Sequence, residues 1–115
     1  LASDVGGGMS FSPFRTMQAA YVVGRESHAK QGQSLSPQNL WWQHTAGAAR
    51  ALGLQGVIGN LQPGCEADLV VINPGCTPLL ARKTAQARNL DELLFAMIIL
   101  GDDRLIEQTI VSQAK

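Results

Sequence analysis

Apolar residues recur at helical spacing in three stretches of the chain. Phe14, Met17 and Tyr21 lie three and four positions apart, which places them on one face of a helix. Ser12-Pro13 supplies a start signal for it, an N-cap hydroxyl followed by proline at the first helical position, and the pattern should fade near Gly32. Ser36-Pro37 repeats that signal. Behind it Trp41, Thr45, Ala48 and Leu52 form one stripe, which predicts a second helix running to Gly53, a residue suited to the left-handed helix end. Leu90, Leu93, Leu94, Met97 and Ile98 fall at i, i+3, i+4, i+7 and i+8. Asn89 with Glu92 makes a capping-box variant in front of this third helix, and Gly101 closes it. Because Phe95, Ile99 and Leu100 fill its remaining faces, it should be covered nearly all round.

Between and around these helices the texture changes. Asp68-Leu69-Val70-Val71-Ile72 is a β-branched apolar run stopped by Asn73-Pro74, which predicts a buried strand. Pro63-Gly64 before it has the order of a type II turn, with φ set by proline and positive φ accepted by glycine. Thr109-Ile110-Val111 is the expected last strand, and residues 75–88 read as irregular or weakly helical. The opening, Leu1 to Phe11, reads as a short strand stub ending at Asp4, followed by Val5 and a run of glycines, Gly6 to Gly8. Such a run lets the backbone turn sharply. The fold class expected from this order is α/β.

Composition narrows the classes. With 115 residues, 45% apolar and 16% charged, the chain is one domain's worth of sequence and too apolar for a disordered segment. Nine basic residues balance nine acidic ones, so no basic footprint exists for nucleic acid or an anionic membrane surface. The longest apolar run, Leu93 to Leu100, is far below the roughly 20 residues of a membrane span. Cys65 and Cys76 form no CxxC pair, so a reducing, cytoplasmic setting is expected. The 16% charge lies under the roughly 25% of an ordinary domain, and the chain opens Leu1-Ala2-Ser3 without methionine. Both features lead us to expect a piece of something larger.

Asp4 is the sharpest chemical candidate. It stands at a strand end beside a glycine loop, where α/β folds place reactive groups, and a carboxylate there can ligate a metal or move protons from an activated water. A plain structural role, an Asx-turn or cap, is open on position alone. The glycines lack the GxGxxG spacing and no Lys-Ser/Thr follows them, so they mark a turn rather than a phosphate site. His28 and His44 lie in different helices without HxH or HExxH spacing, and joining them with Cys65 and Cys76 ignores every usual zinc spacing. Ser10, Ser12 and Ser36 lack a nucleophile setting. Trp41 and Trp42 point about 100° apart on a helix, which predicts one in the core and the other at an interface.

Ser3-Asp4-Val5-Gly6-Gly7-Gly8 and Phe11-Ser12-Pro13-Phe14-Arg15-Thr16-Met17 together resemble the C-terminal part of guanine deaminases, within the metal-dependent amidohydrolase superfamily. Three further stretches are similar: the Ala-rich Thr45 to Leu54, the segment Ile58 to Gly64 with Ala67 to Val71, and Leu93 to Met97 with Leu100 to Arg104. The resemblance covers essentially the whole chain. It implies a C-terminal fragment of a distorted (β/α)8 barrel over residues 1–55, contributing the last strand end and two helices. Residues 56–115 would supply part of a small β-sandwich with one buried helix. It further implies zinc as cofactor, guanine as substrate, xanthine and ammonia as products, and Asp4 as metal ligand and proton shuttle. The family's HxH pair, its other histidines and its glutamate would lie upstream, so the chain by itself is expected to be inactive. Cys65 departs from the pattern, standing where a polar or charged residue is usual. Uncovered strands and helix faces predict a homodimer or an N-terminal companion. The alternatives are a piece of another heterocycle-deaminating amidohydrolase and a non-catalytic homo-oligomeric module.

Overall fold

In a computed structural model that describes residues 1–28 and 35–111, five α-helices gather beside a two-stranded sheet. Helix α1 spans Pro13–His28. The Ser12 carbonyl accepts from the N–H groups of Arg15 and Thr16 at its start, and Pro13 has no N–H to leave unpaired. The expected end near Gly32 lies outside the described residues. Helix α2, Pro37–Gln43, starts as the sequence predicts: Ser36 Oγ accepts from the Asn39 N–H at 3.1 Å.

The predicted continuous helix to Gly53 is not formed. It breaks at Thr45, whose φ of −126° and ψ of −109° lie outside the helical region, and resumes as α3, Ala46–Ala51. The Thr45 hydroxyl donates to the Trp41 carbonyl at 3.0 Å, the back-bonding that competes with a regular helix. At the same break Gly47 takes up the Trp42 ring, whose carbons lie 2.6–2.9 Å from where a Cβ would stand. The broken geometry leaves Leu52 exposed, so the expected stripe does not reach it. Gly53, at φ +73°, does end the segment in the left-handed conformation.

Strand β1, Leu69–Ile72, pairs antiparallel with β2, Ile106–Ile110, in the register Leu69↔Ile110, with a bulge between Val71 and Ile72. Two corrections follow. The last strand begins three residues earlier than Thr109, because the Leu69–Ile72 run needs that much partner backbone. Also, β1 is not buried: Val70 and Val71 are exposed, since among the described residues the sheet has no second layer over it. The Pro63-Gly64 turn is as read, with Gly64 at φ +96° and the Cys65 N–H donating to the Gln62 carbonyl. Leu1 to Asp4 form no strand; the loop holds a single bridge, Val5 to Gly8. A strand needs a neighbour to take its backbone groups, and the described residues supply none there.

Residues 75–88, expected to be irregular or weakly helical, contain helix α4, Pro78–Ala85, with Thr77 Oγ1 accepting from the Leu80 N–H. Helix α5, Leu90–Leu100, carries the predicted cap: Asn89 Oδ1 accepts from the Glu92 N–H at 2.9 Å. The Glu92 carboxylate in turn accepts from the Arg88 N–H. Helices α1, α2 and α4 all pack against α5. Phe14, Met17, Leu40, Leu80, Ala96, Met97, Ile98 and Leu105 form the buried core between them. Helix α5 is nevertheless not covered all round, because its helical neighbours leave Leu90 and Ile99 exposed. Gly101 ends it for reasons of space: a Cβ there would collide with the Met97 carbonyl and Leu105. Gln18 ties α1 to that end, donating to the Ile98 carbonyl at 2.6 Å.

Candidate metal-ligand loop

The loop before α1 is short, tightly turned and set by backbone chemistry. The Gly8 N–H donates to the Asp4 carbonyl, closing a turn around Val5, Gly6 and Gly7. Gly6 sits at φ +111°, a conformation open to glycine and costly for other residues. Asp4 itself has φ +45° and is the one non-glycine residue with positive φ among the described residues. That conformation carries a steric cost for a residue with a Cβ, smaller for aspartate than for most.

The Asp4 side chain gains nothing structural in return. It is exposed, and among the described residues it accepts no hydrogen bond and joins no ion pair. The Asx-turn and capping roles open from the sequence are therefore not what this carboxylate does. Its lone pairs are free for a ligand.

The other sequence candidates do not converge on it. His44 caps α2, its Nδ1 3.2 Å from the Leu40 carbonyl and its Nε2 buried without a partner. His28 ends α1, and its side chain lies outside the described residues. Cys65 and Cys76 are free thiols, and Cys65 Sγ lies 3.2 Å from the Gly56 carbonyl. Among the described residues no group of three or more His, Cys, Asp or Glu side chains is placed to hold a metal. Asp4 thus has no companion ligand among the described residues, and by itself its carboxylate can offer a cation oxygen donors but no centre. Trp41 is half-buried against the core, in edge contact with Phe14 at 6.0 Å, while Trp42 is exposed with its ring against Gly47.

Two features escaped the sequence reading. A cleft of about 400 Å³ opens between α2–α3 and β1, walled by Trp41, Ala48, Ile58, Leu69 and Ile72, with His44 at its side. No local pattern could reveal it, because its walls come from segments far apart in the chain. The second is Asp102, in the Leu100-to-Arg104 stretch. Its carboxylate caps the 3-10 turn Asp103–Leu105 and pairs with Arg104 at 2.6 Å. The Arg104 side-chain hydrogen bond, then its backbone N–H, holds the acid down from its ordinary 3.8 to about 2.

Residues 1–112 match the model of the amidohydrolase family. The chain belongs to that family. It is 40% identical over 111 residues to the guanine deaminase of Escherichia coli, covering 96% of this chain and 24% of that protein. A probable guanine deaminase of Deinococcus radiodurans is 34% identical over 94% of the chain and 24% of its own length. The human guanine deaminase is 32% identical over 96% of the chain and 26% of its length. Solved structures agree: the E. coli enzyme superposes with a TM-score of 0.86, covering 96% of this chain and 25% of that one. The Bradyrhizobium japonicum guanine deaminase, 32% identical, gives 0.81 over 96% and 29%. This amidohydrolase chain thus spans about a quarter of the length of its relatives.

Proposed function

We propose that this chain is the Asp4-bearing segment of a guanine deaminase that hydrolyses guanine to xanthine and ammonia. The free carboxylate of Asp4 on its left-handed backbone carries the reading, and the guanine deaminase relatives over 96% of the chain support the substrate. In the reaction one C–N bond breaks at the carbon bearing the exocyclic amine and one C–O bond to water forms. Zinc is the cofactor, and when bound it supplies Lewis acidity and makes water a nucleophile near neutral pH. Asp4 is one of its ligands and accepts the proton of the attacking water, then returns one to the departing nitrogen. The remaining ligands and the groups that read the purine lie outside these 115 residues. In the complete enzyme residues 1–55 finish a (β/α)8 barrel and residues 56–115 contribute to a small β-sandwich.

The test is an ammonia assay with guanine and added zinc. The 115-residue chain should release no ammonia and keep no zinc through dialysis, whereas a full-length enzyme carrying this segment does both. Asp4→Asn in that enzyme should lower kcat by several orders of magnitude. Turnover by the isolated chain, or full activity of the Asp4→Asn enzyme, sinks the reading.

A further inference from the structure

Gly6, Gly7 and Gly8 are glycines for three different reasons. Gly6 needs positive φ, with open space where a Cβ would stand. Gly8 has no such need, but a Cβ there would overlap the Ser3 carbonyl and press on that of Asp4. Both neighbours are backbone and cannot yield without opening the turn. Gly7 is different again. Its φ lies outside the left-handed region, so its backbone accepts a side chain. The tight contact there is the Asp4 carboxylate, with Oδ2 2.7 Å from the Cβ position, while the nearest backbone atom, the Asp4 carbonyl oxygen, is at an ordinary 3.7 Å.

We infer that Gly7 is a positioning residue for Asp4: its missing side chain is the space in which the carboxylate lies. Among the described residues no hydrogen bond holds that carboxylate. The left-handed backbone of Asp4 directs it there, and the bare Cα of Gly7 leaves the space it occupies. A methyl group at position 7 displaces the carboxylate into another rotamer, because the far end of a short side chain moves more readily than a closed turn. The consequence for metal binding rests on the reading of Asp4 as a ligand; the steric relation does not.

The experiment has two arms. In the isotope-labelled chain, the Asp4 Hα–Hβ couplings should report one dominant rotamer and change on Gly7→Ala. Exchange protection of the Gly8 amide should stay within twofold in that variant and be lost in Gly8→Ala, which separates a moved carboxylate from a broken turn. In a full-length deaminase carrying the segment, zinc affinity from chelator competition should fall 10–100-fold on Gly7→Ala, with the melting temperature unchanged. Unchanged couplings in Gly7→Ala, or unchanged zinc affinity beside a large loss in Asp4→Asn, overturn the inference. Unchanged affinity in Asp4→Asn itself overturns the ligand reading, leaving the couplings to judge the steric relation.

Discussion

At the scale of single residues, two aspartates show how differently the same side chain can be used. Asp102 is engaged twice by one residue: it caps a 3-10 turn by accepting from the Arg104 N–H, and it pairs with the Arg104 guanidinium. Its acid is held down to about 2. A depressed carboxyl favours the folded form above the unfolded pKa, and that contribution is lost as pH falls through the folded value. The Asp102–Arg104 pair should therefore persist at pH 4 and dissolve only near pH 2. Carboxyl carbon shifts followed by NMR check this, and Arg104→Gln should return the midpoint towards the ordinary carboxylate range. Because the pair is exposed, screening leaves it little weight in global stability. Among the described residues Asp4 has none of these partners and holds a left-handed backbone instead, a conformation that aspartate enters more readily than most residues with a Cβ. The sequence made Asp4 stand out by its place before a glycine run; its φ, and its lack of partners among the described residues, became visible only in three dimensions.

Among the elements, punctuation residues were the legible part. Ser36-Pro37, Asn89 with Glu92, and Gly53 each act where their chemistry predicts, because a cap needs only its own backbone neighbours. Thr77-Pro78 is the same kind of signal, and it opens α4 within the stretch read as irregular. Its short, weakly periodic helix hid it. Thr77→Ala should cost about 1 kcal/mol in a urea denaturation series, with Asn89→Ala similar, and each loss should appear as a shifted midpoint at constant slope. The Thr45 break was illegible for the opposite reason. It depends on where the Trp42 ring settles against Gly47, and no spacing rule reports a ring's tertiary position. Substituting Gly47 by Ala should strain this contact and shift the Trp42 fluorescence.

On the scale of the whole molecule, the buried core lies among α1, α2, α4 and α5, while the β1–β2 ribbon stays largely bare. Val70, Val71, Ile106 and Ile110 are all exposed, and a two-stranded ribbon with apolar faces is marginal without cover. Sedimentation of the isolated chain should show association that grows with concentration, and Val70→Lys with Ile110→Lys should reduce it. A monomer at all concentrations would contradict this. The sequence by itself determined the starts of α1, α2 and α5, the stops at Gly53 and Gly101, the Pro63-Gly64 turn and the family, because caps, turns and motifs are written in residues close together in the chain. Only the tertiary structure decided where β2 begins, which sides of α5 are covered and how the Asp4 carboxylate lies over Gly7. Each of these depends on steric contact or hydrogen bonding with a partner that linear spacing does not specify.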